Sequence, residues 1–288
     1  MGGTTDSRSG RHSALRRGSG YASLCPEMAM DLEFRFLGTG TSVGVPVIGC
    51  RCEVCTSADR RNRRTRSSAL IRTRSHALLI DSGPDLREQS LREQLTEIDA
   101  VLYTHSHVDH VVGFDELRAF CWRRSEPLPL HACPETLGVL KRMFSWAFLP
   151  DNTYPGYVKP LAVPFSGPFS YGDLAITPLP VTHGSVDTHG FLFEHPMAPS
   201  IAYIPDVKAL PPTTRERLQG IDVLILDSLR PRSHPTHLSN DEAIALIEDL
   251  EAGRAWLTHL GHENDHAAFE AILPDHIRIA HDGLTLPL

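Results

Sequence analysis

The stretch Tyr103-Thr104-His105-Ser106-His107-Val108-Asp109-His110 constrains this chain more than any other. It sets three imidazoles and a carboxylate directly after the apolar run 100–103. If that run is a strand, side chains alternate along it, and His105 and His107 leave its end on one face. Val108 and Asp109 then turn the chain, and His110 opens a helix that continues from Gly113. Packing has no use for four such groups at one strand end, whereas a metal ion does. The rest of the chain must therefore supply further donors.

Several function classes are disfavoured early. The chain has 288 residues, 41% of them hydrophobic, enough for a sizeable core. A net charge of −7 disfavours a protein built to track nucleic acid. No apolar run approaches the roughly 18 residues of a membrane helix, so a soluble, cytoplasmic protein is expected. Six cysteines are too few and too unevenly spaced for a disulfide framework. Three of them instead form Cys50-X-Cys52-X-X-Cys55, a metal-site spacing suited to a reducing compartment.

Along the chain, residues 1–30 are rich in Gly, Ser and Arg, and read as a disordered tail or a mis-assigned start; a transit peptide is the other reading. A strand over 32–37 runs into a glycine turn at Gly38–Gly44 that lacks the dinucleotide-binding spacing. Arg60, Arg61, Arg63, Arg64 and Arg66 follow the cysteines, either as a solvated face or as phosphate contacts. Residues 68–72 and 77–81 read as a hairpin ending in Asp81-Ser82-Gly83. Helices are expected over 85–95, 113–123 and 134–148, with a short strand at 128–131. Residues 152–172 read as a long surface loop with one strand at most. Strands then recur at 174–181, 190–194, 201–204 and 223–226, ending near His183, Asp206 and Asp227. Ser239 and Glu242 form a capping box for a helix striped by Ala243, Ile244, Ile247 and Leu250. Strand 255–258 ends at His259, and 277–286 closes the chain in β structure. Strands with helices, repeated without a linker, suit two packed sheets with helices outside, as one domain over 31–288.

Two ions of the zinc or manganese kind need about seven or eight protein ligands. His105, His107, Asp109 and His110 supply four, and His183, Asp206 and His259 stand at later strand ends where the others are needed. Each of these alone is more often a hydrogen-bonded residue than a ligand. The three cysteines form most of a tetrahedral zinc site, for which Cys25, Cys121, Cys133 and several histidines are eligible as fourth donor.

The His-X-His-X-Asp-His pattern at 105–110 resembles the signature of the metallo-β-lactamase superfamily. The 37–46 turn, Asp81-Ser82-Gly83, His183, Asp206 and His259 stand in that superfamily's order. The resemblance covers the chain from about residue 31 onward and implies an αββα four-layer sandwich of the α/β class. It assigns His105, His107 and His183 to one metal, and Asp109, His110 and His259 to a second, with Asp206 bridging. The Gly-Val-Pro loop before Gly-Cys-X-Cys-X-X-Cys is further similar to the PhnP family of phosphoribosyl cyclic phosphodiesterases. That likeness makes His262 the fourth ligand of a structural zinc with Cys50, Cys52 and Cys55. The B proteins of pyrroloquinoline-quinone biosynthesis share the cysteine motif, but generally lack the full histidine set.

The function implied is hydrolysis of a small cyclic phosphodiester by a water activated between two divalent ions, manganese or zinc. Asp109 and His237 are the catalytic candidates. His237, just before the capping box, matches a histidine of that family and would protonate the leaving group, although a mere contact with a surface carboxylate is the plainer alternative. The rivals are a tRNase Z-like nuclease, a thioesterase or lactamase, and a zinc-stabilised binding protein without catalysis. A homodimer is left open. No membrane partner is expected, and a nucleic-acid partner is disfavoured.

Overall fold

The computed structural model describes residues 32–288. The expected tail and Cys25 lie outside them. In chain order the strands are β1 (Leu32–Gly38), β2 (Ser68–Thr73), β3 (Ala77–Ile80), β4 (Ala100–Leu102), β5 (Leu128–Ala132), β6 (Pro160–Pro164) and β7 (Phe169–Tyr171). They continue as β8 (Leu174–His183), β9 (Val186–His195), β10 (Ala198–Ile204), β11 (Val223–Asp227), β12 (Arg254–Thr258), β13 (Ile277–Ile279) and β14 (Thr285–Pro287). The helices are α1 (Leu86–Arg92), α2 (Val108–Val111), α3 (Arg118–Cys121), α4 (Pro134–Met143), α5 (Pro212–Leu218), α6 (Asn240–Asp249) and α7 (His266–Glu270).

Among the described residues two seven-stranded sheets form, ordered β14-β1-β2-β3-β4-β5-β6 and β13-β12-β11-β10-β9-β8-β7. Side-chain alternation decides which face meets what. Phe191, Phe193, Ile201, Tyr203, Val223 and Ile225 point into the core shared with the first sheet. Their neighbours Leu192, Ala202, Ile204, Leu224 and Leu226 point the other way, onto Leu218 of α5, Ala243 and Ile247 of α6 and Phe269 of α7. A strand buried on both faces reads as continuously apolar, as Val223–Leu226 does. The outer face of the first sheet is covered by Leu86 of α1, Leu137 and Leu140 of α4, and the Val111–Leu117 segment. The architecture is the αββα sandwich that the sequence implied.

β3, β4 and β5 run parallel, as do β10, β11, β12 and β13. Parallel strands place their C-terminal ends together. The loops after β4, β10, β11 and β12, and the β8–β9 hairpin at His183 and Gly184 (φ +60°), thus gather at one edge.

Some elements differ from expectation. The helix expected over 113–123 is a 3-10 turn, Val112–Leu117, followed by the short α3. Gly113 lies against the Gly83 carbonyl and its N–H bonds to Ser82 O, which diverts the chain from a regular helix. α2 already contains Asp109 and His110. α4 stops at Met143, where a 3-10 turn stacks Phe144 and Phe148 on Phe114. The 152–172 loop holds two strands, β6 and β7, one in each sheet. Likewise the last β segment splits, β13 joining one sheet and β14 the other. β9 starts at Val186, four residues before the strand expected at 190, because it pairs with β8 in a tight hairpin.

Candidate functional site

β4 ends at Leu102, so His105 and His107 lie in the loop after it rather than on the strand. They still converge: His105 Nε2 is 2.9 Å from His107 Nδ1, which is 3.2 Å from His183 Nε2. His110 Nε2 lies 3.3 Å from Asp109 Oδ2 and 3.2 Å from Asp206 Oδ2. His259 Nε2 is 3.4 Å from Asp206 Oδ1 and 3.9 Å from Asp109 Oδ2. His183 Nε2 is 3.8 Å from Asp206 Oδ1, so Asp206 reaches both halves of the cluster. The donors fall into His105–His107–His183, His105–His110–Asp206 and Asp109–His110–His259. All seven candidate ligands are thus in one place.

Outer contacts orient these rings. His110 Nδ1 bonds to Asp81 Oδ2 at 2.7 Å, His183 Nδ1 to Thr236 O at 2.8 Å, and His105 Nδ1 to Thr104 Oγ1 at 3.0 Å. Each turns Nε2 inward, the arrangement metal-ligating histidines adopt. Asp81 (φ +61°) and His259 (φ +57°) hold left-handed backbone conformations that non-glycine residues avoid.

Burial pushes His105 well below its ordinary pKa, and desolvation pushes His183 and the more exposed His107 down as well, so all three present neutral lone pairs. Burial opposes the charge on Asp206, but His259 and His110 hold it well below the usual carboxylate range. Asp109 is held low in the same way by His110. His110 Nε2, His259 Nε2 and Asp206 Oδ2 are buried without a hydrogen-bond partner. Each such atom costs on the order of 1–3 kcal/mol. Donor atoms 3–4 Å apart match ligands on ions with bonds of about 2.0–2.2 Å, so these residues fit divalent metals.

The second constellation also closes. His262 Nδ1 stands 3.3, 3.6 and 3.5 Å from the sulfurs of Cys50, Cys52 and Cys55. Cys121 and Cys133, eligible by sequence, are elsewhere. The turn after β1 joins this cluster to the other, since Leu260 N–H bonds to Thr39 O and Thr41 N–H to Leu260 O.

His237 is buried beside the cluster, 4.6 Å from the His183 ring and stacked on His259 at 4.8 Å. The carboxylate it contacts is no surface group: Nδ1 lies 2.8 Å from Oδ2 of the fully buried Asp227. Burial above all pushes Asp227 up and His237 down, each toward its neutral form. Sequence reasoning marked Asp227 as a strand-end carboxylate without a role; the only signal was its position after an apolar run.

The arginine cluster is mostly structural. Buried Arg64 bonds to Ala280 O, Arg61 pairs with Asp59, and Arg66 with Asp85. Arg60 and Arg63 line a cavity of about 870 Å³ whose walls include none of the seven donors and none of the cysteine cluster.

Residues 76–260 match the β-lactamase superfamily domain. A solved diphosphatase of the PhnP family is 37% identical, with a TM-score of 0.81 over 88% of this chain and 96% of that one. Zinc-bound PqqB from Methylobacterium extorquens is 25% identical, with a TM-score of 0.71, covering 89% of this chain and all of the other. An octanoyltransferase of Porphyromonas gingivalis is 38% identical over 253 residues, 86% of this chain, and the chain spans half the length of that relative. With the αββα sandwich and the donors gathered at its edge, these matches place the chain in the β-lactamase superfamily, among hydrolases near the PhnP family.

Proposed function

We propose that this chain is a metal-dependent phosphodiesterase acting on a small cyclic, phosphoribosyl-type diester. The observation that carries the proposal is seven inward-facing donors, two of them carboxylates, beside a histidine that is not needed to complete the set. His105, His107 and His183 would hold one ion, Asp109, His110 and His259 the other, and Asp206 both. Such a pair, manganese or zinc, supplies when bound an acidified water and a clamp on phosphoryl oxygens.

The protein's own contribution is placement. Asp81, Thr104 and the Thr236 carbonyl fix three of the rings, so the donors need little reorganisation. His237 engages Asp227 through Nδ1, which leaves Nε2 to give a proton to the departing alkoxide. Cys50, Cys52, Cys55 and His262 would hold a structural zinc that steadies the loop carrying His259. Likeness to a diphosphatase over nearly its whole length supports phosphoryl chemistry.

The test is a substrate panel run with Mn²⁺ and with Zn²⁺. Hydrolysis of bis(p-nitrophenyl) phosphate and of a ribose cyclic phosphate is expected, with no turnover of nitrocefin or precursor tRNA. No metal-dependent diesterase activity with either ion would refute the proposal and leave a zinc-stabilised binding role; cleavage of the precursor tRNA alone would favour the nuclease.

A further inference from the structure

Apart from the seven donors and the three-cysteine cluster, another mixed set of metal-competent side chains converges. Cys133, which follows β5, and Asp187 and His189 on β9 each bring a donor atom to within 4.8 Å of the others. The trio spans the two facing sheets. Cys133 is 3% exposed. It caps α4, its sulfur lying 3.5 Å from Thr136 N. His189 Nδ1 is buried without a hydrogen-bond partner, and Asp187 Oδ1 stands 3.7 Å from it. That separation is too long for a hydrogen bond. It is close to the spacing of two ligands on one tetrahedral ion, and resembles the spacings in the two clusters already described. The backbone fixes the site's place, because His189 N–H donates to Thr104 O at 2.9 Å, one residue before His105.

We propose that Cys133, Asp187 and His189 form a separate zinc-class site, with three protein donors and a fourth position open to water or a small ligand. A sulfur, a nitrogen and an oxygen donor together favour a borderline-soft ion such as zinc over magnesium, manganese or calcium. Asp187, 46% exposed at its side chain, gives the ion a route in from solvent. The site adjoins the main centre without sharing a ligand with it.

Cadmium NMR on the full chain tests this. Cadmium is added in excess and the loose ion removed. The expected spectrum contains a resonance typical of a single sulfur ligand, distinct from that of the thiolate-rich cluster and from those of nitrogen and oxygen donors. Cys133→Ser should remove that resonance and one cadmium per chain, leaving the others in place. Asp187→Asn, at an exposed position, should shift it in a chain whose core is untouched. The site is overturned by a wild-type spectrum lacking a single-sulfur resonance, or by a resonance unmoved in either variant.

Discussion

Asp227 belongs to no motif, yet its carboxylate determines how His237 is presented. Asp227→Asn keeps the shape and removes the carboxyl group that His237 Nδ1 meets. The expected result is a kcat about 10–100-fold lower with KM nearly unchanged and an altered pH–rate profile. His237→Ala should cost a hundredfold or more in kcat while metal content stays constant, since His237 is not one of the seven donors. If His237→Ala hydrolysed the diester at the wild-type rate, His237 would not be the proton donor; if Asp227→Asn did, Asp227 would not be what positions it. His131 offers a test that is independent of catalysis. Its ring stacks on Phe169 at 4.6 Å and Nε2 meets Tyr171 OH at 2.8 Å, tying β5 to β7 across the two sheets. Burial pushes its pKa down to about 4. An unfolded histidine protonates near pH 6.5, so between those values the unfolded state binds more protons. The contribution to stability is therefore complete above about pH 6.5 and lost as pH falls toward 4. Thermal unfolding at about pH 7 and about pH 5 should show His131→Phe losing less stability than wild type, by on the order of 1–2 kcal/mol. Equal losses would exclude His131 as an acid-sensitive residue.

At the scale of elements, Gly83 and Gly113 let the strand ends meet. A Cβ on Gly83 would lie 2.2 Å from the Asp109 carbonyl, which is backbone and cannot yield as a side-chain tip can. Gly83→Ala should thus displace α2 together with Asp109 and His110. Elemental analysis is expected to find less metal bound in total, with the amount that Cys52→Ser removes unchanged. The capping box of α6 holds the segment just after His237. Ser239 Oγ accepts from Glu242 N, and Glu242 Oε2 accepts from Ser239 N and also meets Lys208. Ser239→Ala should destabilise the protein by about 0.5–2 kcal/mol, read as a lower denaturant midpoint at unchanged slope.

For the whole molecule, the cysteine cluster and the main centre are coupled through one short loop, with His259 at one end and His262 three residues on. Cys52→Ser should lose one zinc per chain and keep the metals of the main centre, with a lower thermal midpoint, because structural zinc contributes folding energy directly. Full retention of metal would remove the structural-zinc role. Much of this molecule was legible in its residues. Apolar runs located most strands of both sheets, though not the pair β6 and β7 inside the expected loop or the split of the last segment into β13 and β14, and the spacing of His105 to His110 marked the centre. Helix boundaries were less legible. Segment 113–123 has helical composition, but Gly113 packs on Gly83, a residue thirty positions away in a contact no local pattern records.

What the sequence determined by itself was chemical: which donor types exist, that they follow apolar runs, and that three thiols lie close together at Cys50, Cys52 and Cys55. These are local properties, fixed by side-chain identity and periodicity. What only the tertiary structure decided was company. It brought His262 rather than Cys121 or Cys133 to the thiols, gave Asp227 to His237, tied most of the arginines into structural contacts, and set Cys133 beside Asp187 and His189. Those partners are up to about two hundred residues apart, and they meet because parallel strands of two packed sheets end at a common edge.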